Sequence, residues 1–246
     1  MITPEIQIQI DLIKEKLEKA DTVTVLTGAG ISADSGIPTF RGTDGLWKNY
    51  RAEELATPEA FSKNPKLVWE WYDWRRGLIA SKEPNAGHYM IAEMEKPFTR
   101  FHLITQNVDG LHEKAGSTNP VELHGNIWKV RCTGCHGISF NFDVPMKLLP
   151  MCKECGGLLR PHIVWFGEPL DEIDIEKSYA AVRNSNVVLI IGTSGLVYPA
   201  ASLAGMAREN GAFVVEINLE RTPISEEMDV TLIGKAKDLL PFFMVS

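Results

Sequence analysis

Two hydrophobic periods divide this chain. Near the start, Thr3-Pro4-Glu5 supplies a capping side chain, a proline at the first helical position and an acid in the first turn. Ile6, Ile10, Ile13 and Leu17 then recur on one face, which predicts an amphipathic helix packed on the body of the protein. The pattern next switches to short unbroken runs rich in β-branched residues at 22–27, 101–105, 187–191 and 213–217. A strand covered on both faces has no polar side to alternate with, so these runs predict buried strands of a parallel sheet. A fifth run, 230–233, ends in Gly234-Lys235-Ala236 and closes the same edge. Helical spacing returns at 67–79, where Leu67, Trp71, Trp74 and Leu78 form one stripe and Val68, Tyr72, Arg75 and Ile79 form another.

The residues just past each run carry the chemistry. Gly28-Ala29-Gly30, Gln106-Asn107-Val108-Asp109, Gly192-Thr193-Ser194 and Asn218-Leu219-Glu220 all begin where an apolar run stops. In an open parallel α/β sheet the ligand lies outside the carboxyl ends of the strands, so these endings point to a single nucleotide site. Gly28-Ala29-Gly30-Ile31-Ser32-Ala33 resembles the turn in which glycines let the backbone approach a pyrophosphate. Two features depart from a dehydrogenase. Pro38 ends the following helix early and leaves Pro38-Thr39-Phe40-Arg41-Gly42 as a loop able to fold over a cofactor. No acid stands about 20 residues on to hold a ribose, and Asn218 and Glu220 are better placed for that task.

The fold class expected is α/β, a Rossmann-like doubly wound parallel sheet with a helical insert and a smaller zinc-binding module. Residues 1–37, 98–124 and 166–246 would form the large part, and inserts 38–97 and 125–165 a second, smaller lobe. All four cysteines fall in two pairs, Cys132-x-x-Cys135 and Cys152-x-x-Cys155, sixteen residues apart. That spacing fits tetrahedral zinc, and four thiolates leave no position for a reactive water, so the metal would be structural. Two redox dithiols or unligated thiols are the alternatives, with His136 a possible substitute ligand. From local context alone, His124 reads as a structural histidine, and Gln106 to Asp109 as ordinary turn formers.

Composition narrows the classes. With 246 residues and 44% hydrophobic content a packed core is expected. The longest apolar run, 187–191, is far short of the ~18 residues of a membrane span. With no secretory signal pattern at the start, a cytoplasmic location is expected. A net charge of -7 argues against general affinity for nucleic acid.

Taken together these blocks resemble the sirtuin family of NAD-dependent protein-lysine deacylases. In order they are Gly28-Ala29-Gly30-Ile31-Ser32 with Gly36-Ile37-Pro38-Thr39-Phe40-Arg41, residues 105–112, Leu123-His124-Gly125, the cysteine tetrad, residues 164–168 and Gly192-Thr193-Ser194. The resemblance implies that NAD is held by Gly28, Ala29, Gly30, Ser32, Phe40, Arg41, Trp47, Gln106, Asn107, Asp109, Gly192, Thr193, Ser194, Asn218, Leu219, Glu220 and Ala236. Asn107 and Asp109 would lie near the nicotinamide carboxamide, with Asn107 also catalytic. The acyl oxygen attacks the ribose carbon as nicotinamide leaves, and His124 then acts as general base on a ribose hydroxyl. Free lysine, nicotinamide and O-acyl-ADP-ribose result. An acyl-lysine peptide would lie as an added strand between segments containing Val164, Phe166, Gly167 and Glu168 on one side and Val197 and Tyr198 on the other.

Tyr72-x-x-Arg75 with Ala56 resembles the class III branch, which removes succinyl and malonyl groups, and implies weaker action on acetyl-lysine. An arginine fork and a phenol hydroxyl suit a carboxylate at the end of an apolar tunnel. The competing functions are an ADP-ribosyltransferase using the same site, a non-catalytic zinc-stapled NAD sensor, and a hydride-transferring dehydrogenase.

Overall fold

The computed structural model describes residues 3–38, 50–198 and 200–244. Helix α1 (Pro4–Glu18) leads into β1 (Thr22–Thr27), followed by the short helices α2 (Ala29–Ala33), α3 (Ala52–Leu55) and α4 (Pro58–Lys63). Then come α5 (Pro65–Ala80), α6 (Ala86–Met94), β2 (Arg100–Thr105), α7 (Leu111–Ala115) and β3 (Val121–Glu122). The cysteine segment supplies β4 (Gly125–Cys132), β5 (Ile138–Phe140) and β6 (Leu159–Ile163). The chain closes with α8 (Glu172–Arg183), β7 (Val187–Ile191), α9 (Ser202–Glu209), β8 (Phe213–Asn218), β9 (Val230–Ile233) and α10 (Ala236–Leu239).

The main sheet has six strands in the order β3-β2-β1-β7-β8-β9, every neighbouring pair parallel. Counted within that sheet the order is 3-2-1-4-5-6, so strand order reverses between β1 and β7 and opens a crevice at their carboxyl ends. All six residues of β1 and all five of β7 are buried, as expected for strands with helices on both sides. On one face Ile10, Ile13 and Leu17 of α1 join Ile91 and Met94 of α6 and Leu239 of α10. On the other, Val182 of α8 and Leu203 and Ala207 of α9 pack onto Leu26, Val188 and Val214. Thr3 caps α1, accepting from the N–H of Ile6 at 3.3 Å. Among the described residues no helix is long and apolar enough to cross a membrane.

A second, antiparallel sheet of order β5-β4-β6 carries the cysteines and packs with α5 in its own apolar cluster. Here the structure decides which side of α5 faces inward. Trp74 and Leu78 are 38% and 37% exposed, so the stripe through Leu67 and Trp71 leaves the core after one turn. The buried face of α5 is instead Val68, Trp69, Trp71, Tyr72, Arg76 and Ile79. Arg76 belongs to neither stripe, and its guanidinium is buried over the Trp128 ring with Asp73 and Asp143 nearby.

Candidate functional site

The crevice is built on close backbone contact between β1 and β7. The N–H of Gly28 donates to Ile191 O at 2.9 Å and that of Gly30 to Gly192 O at 2.8 Å. A Cβ at Gly28 would stand 2.8 Å from Gly192 O, and one at Gly30 would stand 2.7 Å from Gly192 Cα. Gly192 itself has φ +61°. Sterics therefore require glycine at all three positions, apart from any ligand. The Gln106 amide donates to Thr193 Oγ1 at 3.0 Å, and the Asn218 amide to Thr193 O at 2.8 Å. Thus polar endings from three strands are tied around one gap.

Beneath that gap lies a buried polar network. Asn107 Nδ2 donates to Gly28 O at 3.1 Å and to Ser32 Oγ at 3.2 Å. Ser32 Oγ donates to Asp109 Oδ2 at 2.8 Å, while Asp109 Oδ1 accepts the N–H of Leu111 at 2.9 Å. Burial raises the Asp109 carboxyl, opposed by the Leu111 and Ser32 bonds and by Arg75. His88 Nδ1 accepts from the N–H of Asn85 at 3.3 Å, which leaves Nε2–H to donate to Ser32 Oγ at 3.2 Å. Thr27 Oγ1 donates to Thr105 Oγ1 and so accepts from His112 Nε2–H at 2.9 Å. Burial holds both rings neutral, with His88 lowered to about 4 and His112 to about 3. Sequence gave no signal for this histidine pair, because the two rings meet only through the fold, 5.0 Å apart.

His124 sits on the turn between β3 and β4. Its Nδ1–H donates to Gln106 O at 2.9 Å, which fixes the tautomer and leaves Nε2 with a free lone pair. Burial lowers its pKa, partly offset by that bond, so the ring is neutral at physiological pH. Its carbonyl accepts the N–H of Val164 at 3.0 Å, linking this turn to the segment expected to bind peptide.

In that segment the Glu168 carboxylate accepts from both terminal nitrogens of Arg160, at 2.6 and 2.8 Å, and from the Trp165 N–H at 2.9 Å. Its side chain thus shapes the loop. Phe166 is 51% exposed and donates its N–H to Ala56 O at 2.9 Å, with Ala56 buried behind it. Trp165 Nε1 donates to the hydroxyl of Tyr72 at 2.8 Å, so that hydroxyl keeps its own proton for another acceptor. The Arg75 guanidinium lies 5.1 Å from the Trp71 ring, within the fields of Tyr72 and Asp109. Burial lowers its pKa against those two neighbours, yet a guanidinium stays cationic. Ala56 and Tyr72, distant in sequence, thus both meet the Trp165–Phe166 segment, and Arg75 lies within the fields of Tyr72 and Asp109. Val197, Tyr198, Leu219 and Glu220 are exposed, and Ala236 opens α10. Phe40, Arg41 and Trp47 lie outside the described residues. A groove of about 910 Å³ runs beside β3 and α8 and includes Thr22 and Arg100 at the opposite ends of their strands.

The four cysteine sulfurs lie within 4.8 Å of one another. Cys132 and Cys155 approach to 3.4 Å, and Cys135 and Cys152 to 3.8 Å. A tetrahedral zinc with ~2.3 Å bonds to sulfur places its ligands about 3.8 Å apart, so the cluster fits one ion. The N–H groups of Gly134 and Cys135 point at Cys132 Sγ, and that of Gly157 at Cys155 Sγ, as thiolates require. Two separate dithiols would not bring sulfurs of both pairs together. The tetrad is a structural zinc site.

The model of the Sir2 family matches residues 28–199. The NAD-dependent protein deacylase of Aquifex aeolicus (strain VF5) is 56% identical over 221 residues, 89% of this chain and 92% of the relative. That of Pyrococcus furiosus is 49% identical, covering 93% and 94%. A Sir2 homolog–NAD complex superposes with TM-score 0.88 at 44% identity, covering 94% of this chain and 90% of that one. A Sir2 variant solved with a deacetylated p53 peptide and 3'-O-acetyl ADP ribose gives 0.84 at 29% identity, covering 96% and 97%.

Proposed function

Because the chain belongs to the Sir2 family and is an NAD-dependent protein deacylase with one structural zinc, we propose that its site removes carboxylate-ended acyl groups, succinyl and malonyl, from lysine in preference to acetyl. The observation that carries this preference is the Tyr72 hydroxyl, whose proton meets no acceptor among the described residues, beside the cationic Arg75 on the same face of α5.

NAD, consumed as co-substrate, supplies a ribosyl electrophile when its nicotinamide departs. Gly28, Ala29, Gly30, Ser32, Gly192, Thr193 and Ser194 would line the crevice that receives it, with Gln106, Asn218, Leu219, Glu220 and Ala236 at its rim, a reading supported by the ties from Gln106 and Asn218 to Thr193. Asn107 and Asp109 are oriented through Ser32, so they are set before a substrate arrives. His124 Nε2, freed by the Nδ1 bond, takes a proton from a ribose hydroxyl. The peptide lies along Val164, Phe166 and Gly167 and against Val197 and Tyr198, with Glu168 keeping the first segment in shape. The large part of the molecule is the six-stranded sheet with its helices, and the smaller lobe holds α3 to α5 and the zinc sheet. Helix α6 packs on the large part.

The test is nicotinamide release from NAD with one peptide bearing succinyl-, malonyl- or acetyl-lysine. His124→Ala should lose about 100- to 10,000-fold in turnover and keep its affinity for NAD. Nicotinamide release without acyl-lysine would instead indicate ADP-ribosyl transfer, and binding without turnover a sensor.

A further inference from the structure

One guanidinium organises the segment that follows β6. Arg160 stands on that strand, where it pairs with Arg131 of β4 and its neighbour Leu159 pairs with Cys132. It therefore belongs to the zinc sheet and not to the large sheet that holds the crevice. Trp69 of α5 secures this start, its Nε1 donating to Leu159 O at 2.9 Å.

The edges and the face of the Arg160 guanidinium are all engaged by residues further along the chain. Nη1 donates to Glu168 Oε1 at 2.6 Å, and Nη2 donates both to Glu168 Oε2 at 2.8 Å and to Ile163 O at 3.0 Å. Nε reaches Pro161 O at 3.4 Å. The flat face lies 3.5 Å from the centre of the Trp165 ring. One side chain thus holds the backbone at Ile163, the ring of Trp165 and the carboxylate of Glu168, which in turn accepts the Trp165 N–H. The two charged side chains are only 11% and 19% exposed, so solvent screens this pair less than the ion pairs of the surface. What they hold faces the base and the acyl side: the Val164 N–H donates to His124 O, the Phe166 N–H to Ala56 O and Trp165 Nε1 to the Tyr72 hydroxyl. Among the described residues no hydrogen bond of Arg160 reaches the glycine turns at Gly28 and Gly192.

We propose that Arg160 is a positioning residue for the acyl-lysine peptide: carried by the zinc sheet, it sets residues 163–168 in shape before the peptide arrives, so that its loss weakens peptide binding and spares NAD. This rests on the peptide lying along Val164, Phe166 and Gly167. A segment left loose must be ordered by the peptide itself, and each backbone residue so ordered weakens binding by about 5- to 30-fold. Lysine cannot replace this arginine, because one ammonium has no plane to lay on the indole and no fork to span both oxygens of Glu168. Arg131 adds a second positive field at Glu168, so the carboxylate keeps a cation near it when Arg160 is replaced.

The test is KM for NAD and KM for one acyl-lysine peptide, measured separately, with urea unfolding of each variant alongside. Arg160→Met should raise the peptide KM about tenfold and change the NAD KM less than about twofold. Arg160→Lys should fall between it and wild type. A merely structural role would lower the folded fraction, and with it kcat, and leave both KM values where they are. If Arg160→Met does not fold, Glu168→Gln decides the matter: it keeps an acceptor for the Trp165 N–H, weakens the grip of the fork, and should raise the peptide KM selectively. Combined with Arg160→Lys it should add little, since both act through one contact. An unmoved peptide KM in both Arg160→Lys and Glu168→Gln, or equal rises for NAD and peptide, overturns the assignment. Phe166→Ala, at an exposed ring of the same segment, tests the premise. If it leaves the peptide KM unmoved the peptide lies elsewhere, whereas a rise there without one in the Arg160 variants refutes the role of Arg160 alone.

Discussion

Arg75→Met isolates the charge that the acyl preference depends on. Methionine keeps an apolar stem of similar reach over Trp71 and removes only the guanidinium. A carboxylate about 4 Å from that cation gains roughly 4 kcal/mol at an effective dielectric constant of 20, before its own desolvation is subtracted. The net for a hydrogen bond to a charged group is about 1.5 to 3 kcal/mol, which converts to a loss of about 10- to 150-fold in kcat/KM for succinyl-lysine. Acetyl-lysine has no carboxylate to lose, so its kcat/KM should change less than about threefold. Tyr72→Phe is a poorer probe, since it also leaves the buried Trp165 N–H without its acceptor and costs about 1 to 3 kcal/mol of stability. The assay is nicotinamide release on matched acetyl and succinyl peptides, with wild type and Arg75→Met. Equal losses on both peptides would mean that Arg75 serves the site through Asp109, and wild-type indifference to the carboxylate would refute the preference outright.

Removing zinc should unfold the β4–β6 sheet, since a structural zinc contributes on the order of 10 to 16 kcal/mol; metal analysis beside far-UV circular dichroism checks this, and a metal-free protein that stays folded would refute it. Acid should destabilise the protein through His88 and His112, whose folded pKa values of about 4 and about 3 lie below the unfolded value of about 6.5. Depressed values mean that their stability is fully present above pH ~6.5 and is lost as pH falls toward 4, with a slope of up to about 1.4 kcal/mol per pH unit for each ring. Urea unfolding across that window should show His112→Asn with a slope lower by about one proton. An unchanged slope would show that the ring is already charged in the folded protein.

Much was written in local pattern. The buried strands, the capped first helix and the glycines at 28, 30 and 192 were legible because each follows from side-chain period or backbone sterics within a few residues. The zinc tetrad was equally legible, since two knuckles need only close spacing within each pair and the fold has merely to bring the pairs together. His124 was not, because a histidine on a turn becomes a base only when another segment, here Gln106 O, fixes its tautomer. The buried face of α5 was not legible for a related reason. Period sorts residues by direction around the helix, but the cluster with Trp128 and Met146 decides which direction is inside, and it takes in Arg76 while leaving Trp74 and Leu78 out. The His88–His112 contact belongs to the tertiary structure alone. Burial and a neighbour's charge set the protonation of these rings, and both are properties of the assembled interior that residue identity does not encode.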